Sequence, residues 1–283
     1  MESINVNLIE NSNNMKKVLF TILMLTGGVL MAQNRETRKV DNFTKVSFRV
    51  PGKLLLRQGS PAKVEIEGKS DVIREIETTV EGTRLVIGKE GRWFDWNWDN
   101  NDKVTVYVTM PEIEGLSVSG SGDLIGQNKF TSSNLNLNVS GSGSLQIDVD
   151  ASGDLEADVS GSGNLEVKGK CRRFDSDVSG SGSVELALAI AESADFGISG
   201  SGKIMASGTS SSVKTSISGS GKLLAADLET NRCEVRISGS GDVEINVKSE
   251  LDANISGSGT INYRGNPSKV NSHSSGSGKV RKM

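Results

Sequence analysis

The chain has 283 residues, a formal net charge of -3, 33 glycines against 4 prolines, and only 4% aromatic residues. This length is enough to bury a substantial core in one large all-β domain or in two ordinary ones. The near-neutral charge and the scarcity of proline argue against a long disordered chain. Lys and Arg are not clustered on one face, so the composition also excludes a nucleic-acid partner, which would need concentrated positive charge.

The N-terminal residues have the pattern of processing segments rather than of a folded domain. From Met15 the stretch MKKVLFTILMLTGGVLMAQ holds two lysines and an apolar run from Val18 to Ala32, the layout of a secretory signal peptide over residues 15–32. The run has 15 residues, fewer than the ~20 that span a bilayer, so we predict cleavage after Ala32 and no transmembrane anchor in the mature chain. Residues 1–14 are either part of a long leader or a misassigned start. We therefore expect an exported protein, located in the periplasm, on the outer surface or in the medium.

Residues 35–117 contain short segments in which apolar and polar residues alternate, a pattern that predicts β-strands. The segments are FTKVSFRV, GKLLLRQG, AKVEIEG, TRLVIG and KVTVYVTMP, and SDVIREIETTV between them allows one short helical turn. We interpret this part as irregular β coils that cap the repeats after residue 117, because terminal repeats are expected to be atypical. A separate β layer is the alternative.

The segment GRWFDWNWDNNDK, residues 91–103, holds all 3 tryptophans of the chain. Trp93, Phe94, Asp95, Trp96 and Trp98 are candidate ligand-binding residues, because indole rings stack on sugars or anchor a protein partner while carboxylates accept hydrogen bonds. The structural alternative is a hairpin tip folded over the open N-terminal end of the repeats. Both interpretations fit the spacing of Trp96 and Trp98, which puts two rings on one face of an extended chain.

In residues 118–283 the tetrapeptide Ser-Gly-Ser-Gly recurs every 18 to 21 residues. The copies begin at Ser119, Ser140, Ser160, Ser179, Ser199, Ser218, Ser238, Ser256 and Ser275. Val or Ile precedes every copy except the last, and an aliphatic residue follows two positions after every copy. In an extended chain these aliphatic residues and the intervening glycines share one face and the serines share the other. The pattern therefore predicts glycines packed inside and serines outside.

Self-similarity at a fixed period is typical of stacked repeats. Each repeat has room for two or three short strands and contains no helix-period segment, which predicts one coil of a parallel β-helix, a solenoid. A β-propeller is the rival, but its blades need about 40 residues, twice this period. Coils stacked at ~4.8 Å would align the serines into a hydroxyl face that contacts an extended polymer. The alternative is that Ser is merely small, polar and compatible with close stacking.

No catalytic, metal or cofactor site is predicted. Lys203, Lys222 and Lys279 follow the tetrapeptide where a repeated calcium site would need a carboxylate. His273 has no Asp or nucleophile motif beside it, and no pair of carboxylates stands out from the other charged residues.

The two cysteines are predicted to be free or buried thiols. Cys171 and Cys233 are three repeats apart. At ~4.8 Å per coil this separation is about 14 Å, beyond the ~7 Å Cα limit for a disulfide.

The signal peptide, the strand-rich segment and the VSGSGDL-type copies together resemble the DUF2807 family, described as putative auto-transporter adhesin, head GIN domain, and common in Bacteroidetes. The resemblance covers about Val40 to Val280, and nine copies with fixed aliphatic flanks make it specific. It implies a right-handed β-helix and an exported or cell-envelope role labelled adhesion. The repeats run almost to Met283, so self-secretion through an outer membrane is not expected.

Our leading hypothesis is a non-enzymatic exported β-helix that acts as an adhesin or recognition scaffold of the cell envelope. Its partner would be a glycan or an extracellular-matrix or surface protein, bound through the tryptophan segment or the serine face. A structural or regulatory envelope protein without an external ligand is the alternative. A polysaccharide-active β-helix is the third option, and it would need carboxylates and basic residues in one groove. The exposed terminal coil leaves end-to-end association open.

Overall fold

The computed structural model describes residues 34–89 and 103–283. The predicted signal peptide lies outside these ranges, and so do Trp93, Phe94, Asp95, Trp96 and Trp98. Within the ranges, no helical segment combines the length and hydrophobicity that a membrane span requires. The single short helix among the described residues is α1 (Ser70–Glu75). The strands are β1 (Asn34–Arg38), β2 (Lys45–Phe48), β3 (Lys53–Gln58), β4 (Lys63–Gly68), β5 (Glu77–Glu81), β6 (Arg84–Gly88), β7 (Thr105–Met110), β8 (Gly115–Gly120), β9 (Asp123–Gly126), β10 (Phe130–Ser132), β11 (Leu135–Gly141), β12 (Ser144–Ala151), β13 (Asp154–Gly161), β14 (Asn164–Gly180), β15 (Ser183–Gly200), β16 (Lys203–Gly219), β17 (Lys222–Gly239), β18 (Asp242–Gly257), β19 (Thr260–Arg264), β20 (Lys269–Gly276) and β21 (Lys279–Lys282).

Each Ser-Gly-Ser-Gly turn joins a strand that enters it to a strand that leaves it, and equivalent strands of successive coils pair in parallel. We call the two sides the pre-turn sheet and the post-turn sheet. On the pre-turn sheet Val139 pairs with Val118 and Val159, and on the post-turn sheet Leu145 pairs with Leu124. The structure is a β-solenoid of about 8 turns with ~20 residues per coil, which confirms the predicted fold class.

Both sheets direct their aliphatic side chains into one continuous core. In β15, for example, Val184, Leu186 and Leu188 are buried whereas Glu185 and Ala187 are exposed. Because the register at the turns is the same from coil to coil, with shifts only further along the strands, similar residues near the turns stack into columns. Each coil therefore completes the burial of its neighbours, which a single coil could not achieve alone.

The two glycines of a turn have different roles, which corrects the prediction that both face the core. The second glycine is buried, and a Cβ on Gly143 would lie 2.3 Å from the carbonyl oxygen of Gly122. The first glycine is not buried and has a positive φ, 116° at Gly141 and 111° at Gly161. This backbone conformation, which side chains with a Cβ rarely adopt, interrupts the strand alternation. The first glycine consequently lies at the corner and not inside.

The N-terminal strands continue the same stack without the tetrapeptide. β2 pairs in parallel with β8, with Phe48 opposite Val118, and β3 pairs in parallel with β9, with Lys53 opposite Asp123. Residues 49–52 therefore make the turn that Ser-Gly-Ser-Gly makes in the next coil. β6 and β7 form a further coil against β2 and β3. These are the irregular N-terminal coils that the sequence pattern predicted.

Antiparallel strands cover the outer side of the β6 and β7 coil. β5 pairs with β6 and β4 pairs with β7, both antiparallel. The helix α1 connects β4 to β5 and buries Val72 and Ile73, in the segment where the sequence allowed a helical turn. The opposite end of the stack consists of β20 and β21, which pair in parallel with β18 and β19.

Candidate functional site

The serines of the turns form two exposed columns along one corner of the solenoid, which we call the serine corner. The first column is the predicted set, Ser119, Ser140, Ser160, Ser179, Ser199, Ser218, Ser238 and Ser256, of which all but Ser119 are exposed. The second serine of each turn is exposed as well. Among the described residues, no hydroxyl of either column hydrogen-bonds to another protein group. The corner therefore presents hydroxyls that repeat every ~4.8 Å and are not used by the fold.

The backbone of the serine corner is held rigidly from coil to coil. The N–H of Ser142 donates to the carbonyl oxygen of Gly120 at 2.8 Å, and the N–H of Ser162 donates to that of Gly141 at 2.8 Å. The same bond recurs at later turns, for example from Ser201. A ligand that binds this corner would meet a preordered backbone, so little conformational entropy would be lost there on binding.

The strands that flank the tryptophan segment end at this same corner. Phe48 is opposite Ile87 at the end of β6 and also opposite Val118, which enters a Ser-Gly-Ser-Gly turn. Lys53 is opposite Thr105 at the start of β7 and also opposite Asp123, which leaves that turn. β6 thus ends, and β7 begins, at the place in their coil where the later coils have the tetrapeptide. Trp93, Phe94, Asp95, Trp96 and Trp98 lie between these two strands in the sequence, outside the described residues.

The sequence analysis missed a group of carboxylates on the outer face of the pre-turn sheet. Glu156 pairs with Asp175, and Asp175 pairs with Asp195, so three acidic residues follow one another in a column. Asp158 and Asp177 lie two residues further along the same strands, and the N–H of Asp177 donates to Oδ1 of Asp158 at 3.0 Å. We call these five residues the acidic cluster. They lie four and two residues before their Ser-Gly-Ser-Gly copies, so alignment of the repeats on the tetrapeptide would have revealed them.

The acidic cluster is electrostatically unfavourable for the fold. Burial, together with the charges of Glu156 and Asp177, raises the pKa of Asp158 to about 6, against the opposing hydrogen bond from the Asp177 N–H. Burial also raises the pKa of Asp175, with a contribution from the charge of Asp195. Like charges on neighbouring coils add to this effect of burial at both residues. Asp158 and Asp175 therefore gain protons more readily than isolated carboxylates do.

An open groove of about 1550 Å³ runs beside the acidic cluster. Its lining includes Glu156, Asp175 and Asp195 together with Lys170 and Arg173. Carboxylates and basic residues in one groove are what the polysaccharide-active alternative requires. The sequence did not reveal this groove, because its residues come from several coils.

The basic residues of this groove are already engaged in ion pairs. Arg173 contacts Asp154 at 2.6 Å, and Arg172, which does not line the groove, contacts the same carboxylate at 3.0 Å. Lys170 contacts Asp150 at 3.3 Å. Both acids are neutralised by neighbours, and hydrogen bonding to Arg173 lowers the pKa of Asp154. These ion pairs hold the basic groups in place. Each basic group is bound to a carboxylate, so the acid and the base of a pair do not act separately on a substrate.

The remaining candidates from the sequence are metal ligands, His273 and the two cysteines. In the part of the chain that the structure describes, no set of three or more His, Cys, Asp and Glu side chains has an arrangement that would hold a metal ion. His273 is exposed in β20, opposite Asn254. Cys171 and Cys233 are free and buried, which confirms the prediction for the thiols.

The fold has close counterparts among solved structures. A putative lipid binding protein from Parabacteroides distasonis is 23% identical, with a TM-score of 0.65 over 88% of this chain and 97% of that one. A putative adhesin from the same species is 19% identical, with a TM-score of 0.67 over 88% and 96%. A putative adhesin from Parabacteroides merdae is 20% identical, with a TM-score of 0.62 over 88% and 95%. At these identities the likeness establishes the shared fold.

The sequence of the chain matches a family model. No curated protein matches the chain. The family model described as "Putative auto-transporter adhesin, head GIN domain" matches residues 42–203 and 185–267, which together cover most of the solenoid. The first eight Ser-Gly-Ser-Gly copies thus fall within the matched residues, and the chain belongs to the DUF2807 family.

Proposed function

We propose that this protein is an exported, non-enzymatic β-solenoid that acts as an adhesin or recognition scaffold of the cell envelope. Its ligand is an extended glycan or a surface or extracellular-matrix protein, bound along the serine corner. The family description and the solved adhesin-like neighbours support a binding role. The secretion-signal pattern from Met15 supports export.

The observation that carries this proposal is the position of β6 and β7 relative to the serine corner. β6 and β7, which flank the tryptophan segment, end at the corner that carries the serine columns. The tryptophans would supply large apolar contact area at one end of the corner, and the serines would supply a row of hydrogen-bonding groups beyond it. A repeated row of this kind fits a ligand that itself repeats along its length.

Binding of the mature chain, residues 33–283, to glycan and extracellular-matrix panels tests the proposal. Two variants divide the surface: W93A/W96A/W98A for the tryptophan segment and S179A/S199A for the corner. The matched control is S152A/S249A, which removes two exposed hydroxyls at least seven residues from any Ser-Gly-Ser-Gly turn. We expect each of the first two variants to weaken binding about tenfold or more, and the control to bind as the unaltered chain does.

The outcomes separate the three candidate functions. Saturable binding that both site variants weaken supports recognition at the serine corner. Binding that neither variant changes would contradict this location, and absence of binding across the panels would favour a structural or regulatory envelope role. Release of products from a polysaccharide, lost in the variant E156Q, would instead favour the polysaccharide-active alternative at the groove.

A further inference from the structure

The pre-turn sheet ends in a different strand at each end of the solenoid. β5 is the terminal strand at one end, where it pairs with β6, and β20 is the terminal strand at the other, where it pairs with β18. Among the described strands, neither has a partner on its outer side. An exposed strand edge is a template for pairing with another chain unless it is covered or blocked.

The residues of both terminal strands are accessible. Every residue of β20 is exposed, and Val270 is 40% exposed although the residues before it in its column are core residues. In β5 the residues Glu77, Thr79 and Glu81 are exposed, while Val80 is half-buried opposite Leu85. Val80 and Val270 therefore lie on the core side of their strands with their apolar surface incompletely covered.

The two terminal strands carry opposite charge. Residues 264–283, which include β20, contain 5 Lys and Arg residues and no Asp or Glu, whereas β5 contains Glu77 and Glu81 and no Lys or Arg. Two basic ends would repel each other, and so would two acidic ends. A basic end and an acidic end attract each other, which favours the head-to-tail arrangement of two copies.

We propose that copies of this protein associate head to tail, with β20 of one copy pairing with β5 of the next as an extension of the pre-turn sheet. Since β5 runs antiparallel to the other strands of that sheet, the new pair is antiparallel. One register places Val80 opposite Val270 on the core side. The same register places Glu81 opposite Lys269 and Thr79 opposite Asn271 on the outer side.

This register places uncharged side chains opposite each other on the core side of the sheet and polar or charged side chains opposite each other on the outer side. Thr78 then lies opposite Ser272 on the core side, and Glu77 lies opposite His273 on the outer side. A shift by one residue would move Val80 away from the core side, because side chains alternate between the two faces. Each copy uses one end as donor and the other as acceptor. The contact is therefore heterologous and generates open linear chains of copies, since nothing closes it after two.

Sedimentation of the mature chain over a wide range of concentration and salt tests this proposal. We expect the average mass to rise with concentration beyond that of a dimer and to fall as salt is added, because salt screens the exposed charges. The variants E77K/E81K and K269E/K279E should each weaken association about tenfold or more, since each places like charges at the contact. The matched control E185K/K203E exchanges exposed charges on a central coil and should leave association unchanged.

Mixing the two charge variants provides a rescue that general surface charge would not give. In E77K/E81K strand β5 becomes basic, and in K269E/K279E strand β20 exchanges its one Lys for Glu, so these two strands attract each other. The other two ends retain their natural attraction. We expect the mixture to regain mass that neither variant shows alone. Failure of this rescue would contradict the assigned pair of strands.

A covalent trap tests the register. In the variant T79C/N271C, oxidation should link copies into a ladder of covalent oligomers, whereas N271C alone should not form species larger than a dimer. Cys171 and Cys233 are buried and do not compete. A monomer at all concentrations, or a discrete dimer that K269E/K279E alone abolishes and E77K/E81K does not affect, would overturn the head-to-tail proposal.

Discussion

Gly200 lies directly against Gly180 of the preceding coil, so that a Cβ on Gly200 would be 2.7 Å from the carbonyl oxygen of Gly180. Gly200 also has a φ of +113°, which side chains with a Cβ rarely adopt. We expect the substitution Gly200→Ala to lower the free energy of unfolding by about 2–3 kcal/mol, from backbone strain and overpacking combined. Urea denaturation followed by circular dichroism measures the change.

The neighbouring residue provides the control for this substitution. Ser199 is exposed, and its hydroxyl bonds to no other described residue. Ser199→Ala should therefore change the free energy of unfolding by less than about 0.5 kcal/mol. Equal effects of the two substitutions would show that the close glycine contact does not limit the stacking of coils.

The acidic cluster should make stability depend on pH. The folded state raises the pKa of Asp158 from 3.8 to about 6, so the folded protein holds this proton more tightly than the unfolded chain does. The resulting stabilisation is present in full below the unfolded pKa and is lost as the pH rises through the folded pKa of about 6. Asp158→Asn is neutral at every pH and keeps an oxygen that accepts the Asp177 N–H. We expect a higher Tm for this variant than for the unaltered chain at pH 7 to 8 and similar values near pH 3.5, below the unfolded pKa of 3.8.

Asp154 provides a control of opposite sign. Hydrogen bonding to Arg173 lowers the pKa of Asp154, so the stabilisation from its charge is present above the unfolded pKa and is lost as the pH falls through the folded pKa. Asp154→Asn should lower Tm slightly at pH 7, because the pair is largely exposed and such pairs are worth little. A rise in Tm for both Asn variants would point to general charge reduction rather than to the environment of Asp158.

The two thiols should be unreactive in the folded protein. Burial raises the pKa of Cys171 and of Cys233 to about 12. The thiolate is the reactive form, so at pH 8 a folded thiol should react with iodoacetamide far more slowly than an exposed cysteine, whose pKa is about 8.5. Mass spectrometry with and without urea should show alkylation of both residues only after unfolding. Rapid labelling of either residue in the native protein would contradict its burial.

Phe174 and Phe196 form an aromatic contact in the core between adjacent coils. Their ring centroids are 6.0 Å apart, and both side chains are buried. Phe196→Ala should lower the free energy of unfolding by about 3–5 kcal/mol through the cavity it leaves, and Phe196→Leu should cost distinctly less. A double-mutant cycle with Phe174→Leu should give a coupling of about 0.5–1.5 kcal/mol. Additive effects would show that the two rings do not interact beyond their separate burial.

The acidic cluster and the antiparallel direction of the end strands were not predicted from the sequence. Glu156, Asp175 and Asp195 are separated by 19 and 20 residues, so they become neighbours only when the register between coils is known. The direction of β5 was not predicted, because an alternating apolar pattern is the same whichever way a strand runs. Pairing with β6 through a short turn at Gly82, φ 62°, decides that direction.

The sequence by itself determined the solenoid, its repeat length and the serine corner. A tetrapeptide at near-constant spacing with aliphatic flanks allows one register in which every coil buries its apolar face, so Ser140 must stack on Ser119. The tertiary structure alone decided which of the outer charged residues line a common groove and which strands close the two ends. These features depend on pairing between residues far apart in the chain. In addition, the solvent-exposed residues of a repeat vary without disturbing the buried residues that set the register, so the repeat pattern does not predict them.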